Sequence, residues 1–332
     1  MSTSNTERTE LLGYGDAIQI TGPKRRLQTV VLQPGEQLDN QHGSISHDSI
    51  VGRPDGSLVS IGGRDHLVIR PLLHDYVMSM PRGAAIIYPK DAAQIIGFAD
   101  IHPGLTVVEA GVGSGALSLF LLRALAGTGR LVSFERREEF SQIAASNVRG
   151  FHGETPNWDL VLGDLAQELP ANVPDGTADR VLLDMLAPWE CIDAAARALR
   201  PGGLILGYVA TVTQLSRTVE ALRDHGSFTD PSSSETLVRG WHVDGLAVRP
   251  DHRMVAHTGF LLTARRVADG VEVPDFRRRA GKAQFEDADI ERWTPGAVGD
   301  RTPSGKRLRR VARDAQRKAD AVDTDYTDEH TD

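Results

Sequence analysis

From residue 105 onward, short apolar runs alternate with helical-period segments, and this alternation constrains the fold more than any other feature of the chain. LTVVEA, RLVSFE, WDLVLGD, DRVLLD and GGLILGYVA read as strands. ALSLFLLRALA, EEFSQIAASNVRG, CIDAAARALR and TQLSRTVEALRDHG, interspersed among them, place apolar residues at helical spacing. Strands that are apolar throughout must be buried on both faces, which predicts a mostly parallel sheet covered by helices, an α/β fold. ETLVRGWHVDGLAVRP and HTGFLLTARRV follow as consecutive strands, expected to run antiparallel at one edge. Upstream, YPKDAAQIIGFADI predicts a helix with Pro89 in its first turn, where a missing N–H costs nothing.

The remaining segments set the domain plan. Residues 1–12, which open with the polar MSTSNTERTE, are expected to be disordered. Residues 13–75 hold short strand-like runs (DAIQITG, RRLQTVVLQ, SLVSI, HLVIRPL) broken by Gly, Pro, Asn and Asp, which predicts a small β domain. Residues 76–267 form the larger α/β domain, and residues 268–332 read as a linker and a charged tail. No apolar run is long enough for a membrane span, and MSTSNTERTE lacks the apolar core of a signal peptide, so a cytoplasmic protein is expected. The single cysteine, Cys191, excludes an internal disulfide and reads as a small core residue. The histidines show no metal-ligand spacing, so no metal is expected. Net charge is −8, yet Lys306 to Lys318 contain seven basic residues against one acid, and residues 319–332 contain six acids with no Lys or Arg. A polyanion responds to such local fields more than to the total. The alternative is a solvated tail without a partner.

The chemistry concentrates at strand ends. In VVEAGVGSGALSL, Gly111, Gly113 and Gly115 lie between a strand and a helix, the place where ligands sit in parallel sheets. The dinucleotide fingerprint G-x-G-x-x-G needs a glycine one position later, and that position is Ala116, which disfavours a nicotinamide or flavin. Glu135 ends the second strand and suits a ribose diol. Asp164 follows the third and suits an exocyclic amine. Asp184 closes the fourth. Taken singly, each acid is an ordinary solvated strand end; together they favour S-adenosyl-L-methionine (AdoMet). Pro188 lies where a helix would begin, and Trp189 is either a stacking wall for a base or a core residue.

DMLAPWE, with EAGVGSGALSL before it, resembles the TrmI-type tRNA (adenine-58-N1)-methyltransferases of bacteria and archaea, the actinobacterial members above all. HGSISHDSIVG, RPLLHDYVMSMPRGAAIIYPKDAAQII, YVATVTQLSRTVEAL and WHVDGLAVRPDHRMVAHTGFLLTARR agree with it, so the resemblance spans roughly residues 13–267. It implies a Rossmann-like class I AdoMet-dependent methyltransferase domain, a homotetramer, and methylation of N1 of an adenine in the T-loop of tRNA. It also implies residue roles. Gly111, Gly113, Ser114, Gly115, Ala116 and Leu117 would hold the methionine part of AdoMet, Glu135 its ribose and Asp164 its adenine. Asp184 would face both cofactor and target base. Ile87 and Tyr88 would border the pocket, with Tyr88 and Trp189 toward the substrate. Arg25, Arg26, Arg82, Arg217, Arg249 and the basic run from Lys306 are candidates for phosphate contacts. Three other readings compete: a small-molecule or protein methyltransferase, a non-catalytic RNA-binding subunit, and a nicotinamide oxidoreductase.

Overall fold

The computed structural model describes residues 11–22, 27–274 and 304–323. Arg25 and Arg26, residues 1–10 and most of the expected linker lie outside these. The chain divides into two compact units, Met1–Pro81 with Ser146–Glu154 and Arg309–Asp332, and Arg82–Ala145 with Thr155–Leu308.

The first unit is built on strands β1 (Ala17–Thr21), β2 (Leu27–Val31), β5 (Ser57–Ile61) and β6 (Arg64–Ile69), with β3 (Gln37–Asn40) and β4 (Gly43–Ser46) as a separate hairpin. The four-stranded sheet has the order β2-β1-β6-β5, all antiparallel. Alternation sends Ile18, Ile20, Val59, Ile61 and Val68 to one core, joined by Leu12, Leu32, Leu38 and Ile50. Leu12 was expected in a disordered terminus. Instead it is buried, and its N–H donates to the Arg53 carbonyl at 2.8 Å. A short helix, α1 (Leu73–Ser79), follows β6; its seven residues are too few to show a period in the sequence.

The second unit begins with α2 (Pro89–Phe98), with Pro89 at its first position as expected. Then come β7 (Thr106–Ala110), α3 (Ala116–Leu125), β8 (Arg130–Glu135), α4 (Glu138–His152, counted with the first unit from Ser146 on), β9 (Trp158–Leu162), α5 (Leu165–Asn172) and β10 (Ala178–Asp184). The chain continues through α6 (Ile192–Ala198), β11 (Leu199–Val209), α7 (Val212–His225), β12 (Ser232–Ser234), β13 (Trp241–Asp244), β14 (Ala247–Pro250) and β15 (Phe260–Arg265). The sheet order is β12-β15-β11-β10-β7-β8-β9. Strands β7 to β11 are mutually parallel, whereas β15 and β12 are antiparallel. The larger domain is thus a Rossmann-like α/β fold, a mostly parallel sheet with an antiparallel edge.

Two expectations need correction. Residues 241–250 are not in this sheet; β13 and β14 pair only with each other, and Trp241, Val243, Leu246 and Val248 are exposed. An alternating pattern predicts a strand but cannot say which strand it will meet. The expected charged tail includes a helix, α8 (Gly305–Asp323), with Leu308, Ala315 and Ala319 buried along one side.

The sheet order reverses between β7 and β10, which opens a crevice beyond their carboxyl ends. Ala110 is in register with Leu183 there, so Gly111 comes against the backbone of Asp184. Gly111 has φ +86°, and a Cβ on it would lie 1.7 Å from the Asp184 carbonyl oxygen. Only glycine fits. Gly111→Ala should therefore destabilise the protein by at least about 2 kcal/mol through left-handed strain and the clash. A fall in Tm of roughly 4–8 °C in thermal unfolding is expected.

Candidate active site

The crevice is a cavity of about 1410 Å³. Pockets for a single small ligand run to about 1,000 Å³, so this one has room for two reactants. Ile87, Tyr88, Gly111, Gly113, Ser114, Ala116, Leu117, Glu135, Asp164 and Asp184 all line it, as anticipated from the sequence.

The two other anticipated residues do not. Gly115 is the left-handed N-cap of α3, and a Cβ there would approach Ala144 of α4 to 3.3 Å, so its lack of a side chain serves helix packing. Trp189 packs against the core of the larger unit, with the Arg217 guanidinium 4.1 Å above its ring. Its indole N–H is buried, and no acceptor meets it among the described residues. Trp189 is therefore a scaffold residue rather than a stacking wall, and Arg217 is engaged with it.

Glu135 is buried and held from three directions. Oε2 accepts from the Gly113 N–H at 2.9 Å, and Oε1 accepts from Arg137 N at 3.1 Å and Arg137 Nε at 2.9 Å. A carboxylate has about four acceptor positions. The Arg137 side chain, 45% exposed, is the donor that can move aside for a pair of hydroxyls. Asp164 is the N-cap of α5: Oδ1 accepts from Ala166 N at 2.9 Å, and Oδ2 lies 3.6 Å from Arg136 Nε.

Asp184 stands at the cavity floor, open to the cavity yet surrounded by protein. Burial raises its pKa first, the charges of Glu109 and Glu135 add to the rise, and Arg137 opposes it; the carboxyl is pushed up to about 7. Glu109 is the last residue but one of β7, one strand over. Its Oε2 accepts from Ser118 Oγ and Ser133 Oγ, each at 2.7 Å, and burial outweighs both bonds to place it also at about 7. A lone acid within the apolar run TVVEA was the sequence signal for this group, and it was overlooked.

A second polar cluster was also missed. Lys90 Nζ donates to Asp91 Oδ1 at 2.7 Å, to the Thr236 carbonyl at 2.7 Å and to Thr258 Oγ1 at 2.6 Å. Thr258 Oγ1 in turn donates to Asp91 Oδ2 at 2.5 Å, and Tyr208 Oη donates to the same oxygen at 3.3 Å. Burial raises the Tyr208 pKa, so the phenol keeps its proton and its donor role. Tyr208 is paired with Asp184 across β11 and β10, and Tyr208, His257 and Thr258 line the cavity. His257 bridges the Ala210 carbonyl at 2.9 Å and Glu235 at 2.7 Å on the same rim. Among the described residues no group of His, Cys, Asp and Glu has a geometry that could hold a metal ion.

The family described as "tRNA methyltransferase complex GCD14 subunit" matches residues 67–258, and "TrmI-like N-terminal" matches residues 11–59. A Thermus thermophilus protein named tRNA (adenine(58)-N(1))-methyltransferase TrmI is 34% identical over 244 residues, covering 73% of this chain and 94% of its own. A Methanocaldococcus jannaschii protein named tRNA (adenine(57)-N(1)/adenine(58)-N(1))-methyltransferase TrmI is 30% identical over 233 residues, covering 63% and 81%. The solved structure of tRNA (m1A58) methyltransferase TrmI from Aquifex aeolicus superposes with a TM-score of 0.67 at 27% identity, over 77% of this chain and 99% of that one. A Thermotoga maritima structure titled as a SAM-dependent O-methyltransferase gives 0.74 at 28% identity, over 79% and 97%.

The buried carboxyls generate a pH signature. Both pKa values are raised by folding, so between about pH 4.5 and 7 the folded state holds protons that the unfolded state releases. Stability should fall as pH rises through that window, by on the order of 3 kcal/mol per fully shifted group. Glu109→Gln keeps an acceptor for both serines and removes one charge. In urea unfolding at pH 5.5 and 8.0, the variant should lose less stability across the interval than the unaltered protein.

Proposed function

The chain belongs to the TrmI-type tRNA (adenine-58-N1)-methyltransferase family, and from that premise we propose that it transfers a methyl group from AdoMet to N1 of adenine 58 in the T-loop of tRNA. One observation supports this above all: Asp184 closes β10 at the switch point, facing a cavity whose other wall is the Gly111–Leu117 loop and Glu135.

The residues present fit AdoMet. The Gly111–Leu117 loop has no side chain at Gly111 or Gly113 to block approach to its backbone, and it would hold the methionine part. Glu135 would take the ribose hydroxyls once Arg137 Nε yields, Asp164 the adenine amine, and Ile87 would supply an apolar wall. When bound, AdoMet supplies an activated methyl on a sulfonium, so no covalent enzyme intermediate is needed.

Asp184 does the orienting. Ionised, it accepts a hydrogen bond from N6 of the target adenine and so aims the N1 lone pair at the methyl. Alignment of this kind is worth roughly 7–11 kcal/mol. Its charge also offsets the positive charge that grows on the ring as N1 is methylated. Tyr88, half-buried in the cavity lining, would flank the base. The adenine must leave the folded tRNA to reach this floor, at a cost of a few kcal/mol. Phosphate contacts offset that cost. Arg82 and Arg249 remain candidates for them.

The protein's place would be the cytoplasm, where such a substrate is found. We read it as a homotetramer: the β13–β14 hairpin exposes Trp241, Val243, Leu246 and Val248, an apolar patch suited to a second copy of the chain. Leu246→Asp should lower the mass measured by light scattering; an unchanged mass removes the hairpin from the interface.

Asp184→Asn should cut turnover about 100-fold or more while changing AdoMet affinity little. kcat/KM of the unaltered enzyme should rise with pH through about 7, as Asp184 ionises. Glu135→Ala should instead weaken AdoMet binding in calorimetry. Mass-spectrometric mapping of methylated tRNA decides the reading. Label confined to small molecules would favour a small-molecule methyltransferase, and label at a neighbouring adenine would extend the specificity.

A further inference from the structure

Helix α8 lies outside both segments matched by the family, residues 11–59 and 67–258. Its two sides differ sharply. Leu308, Ala315 and Ala319 are buried. Ser146 Oγ donates to Gln316 Oε1 at 3.2 Å, and a Cβ on Gly150 of α4 would be in van der Waals contact with Ala319 Cα at 3.9 Å. Small residues on both helices allow that approach.

The other side is cationic. Lys306, Arg310, Arg313 and Arg317 are exposed, and their spacing of i, i+4, i+7 and i+11 confines them to a sector of about 60°. The stripe runs about 16 Å along the axis. Arg307 and Arg309 flank it, also exposed. Arg317 has an exposed partner, Asp314, at 3.2 Å. Among the described residues no ion pair engages Lys306, Arg310 or Arg313. Solvated helix faces ordinarily mix signs to gain i, i+4 pairs. Here four cations share one line, in a protein whose net charge is −8.

We propose that this stripe is a docking surface for the phosphate backbone of the tRNA substrate, a contact that the matched family segments do not contain. The inference rests on the functional reading above. Charge complementarity selects the occupant: a row of cations with no apolar residue among them fits a polyanionic strand. A lipid surface fits poorly, because a helix binds lipid through its apolar face, and that face of α8 is already buried.

The test uses the full chain with all four residues changed to Gln (K306Q, R310Q, R313Q and R317Q) and an unmodified tRNA transcript. Fluorescence anisotropy over a salt series should show weaker binding with the slope of log K against log salt reduced by about 3, so that the loss of affinity grows about eightfold with each halving of the salt. R310K/R313K/R317K, which keeps every charge, should retain the original slope, and AdoMet affinity in calorimetry should be unchanged in both variants. An unaltered slope in the Gln variant overturns the proposal. So does binding of phosphatidylserine vesicles that the Gln variant loses while its RNA affinity stays the same. If the unaltered protein binds tRNA through the stripe but leaves adenine 58 unmethylated, the functional reading fails and the docking surface stands.

Discussion

The contact between Gly111 and the backbone of Asp184 holds the site together. Two parallel strands end side by side, and the loop leaving one passes over the last residue of the other at a distance no Cβ would allow. This brings the glycine loop and the fourth-strand carboxylate into the lining of one crevice. Gly113 N–H then reaches Glu135 from the same loop, so the second-strand acid is fixed by the turn that Gly111 makes possible. A ligand spanning loop and strand ends meets groups already positioned, and little ordering is left for binding to supply.

The arrangement carries an electrostatic cost that points to the kind of ligand. Asp184 feels the charges of both Glu109 and Glu135, Glu109 feels that of Glu135, and burial raises Glu109 and Asp184 well above the usual carboxylate range. Arg137 counters this only in part. A cationic centre entering the cavity would stabilise the ionised form of Asp184 and recover some of the desolvation loss. A sulfonium does so in the ground state, and a methylated purine does so as the reaction proceeds. An anionic dinucleotide would meet the same field with the opposite sign, in agreement with Ala116 standing where its fingerprint requires glycine.

What was legible in the sequence was local. Pro89 marks a helix start, Gly111 marks a turn, and Glu135, Asp164 and Asp184 announce themselves by ending apolar runs; each signal needs only a few neighbours. The Lys90–Asp91–Thr258–Tyr208 cluster was not legible, because its members lie as far apart as 168 residues and each has an innocent local reading. Lys90 and Asp91 look like the first turn of a helix, and Tyr208 like the end of a strand. The exclusion of β13 and β14 from the main sheet was hidden for a related reason: alternation fixes a strand's faces, while its partner depends on where the flanking segments lead. For α8, the basic residues hid a period that appears once Leu308, Ala315 and Ala319 are seen to be one face.

The Pro-Trp pair after Asp184 is best understood as a corner. Strand β10 must stop at its acid, because continuing would carry the chain across the cavity. Pro188 opens a short 3-10 turn from Pro188 to Cys191 that feeds directly into α6, with φ already set for it. Trp189 anchors that turn from behind, its ring packed on the core beneath the Arg217 guanidinium. The carboxylate therefore sits between two constraints, a glycine loop pressing on its carbonyl and a pinned turn four residues downstream. The cavity wall beside the ring is made by Met185, Leu186, Ala187, Glu190 and Cys191. A residue that looks like a stacking platform in the sequence thus serves the reaction by holding still the backbone on which the reacting geometry depends.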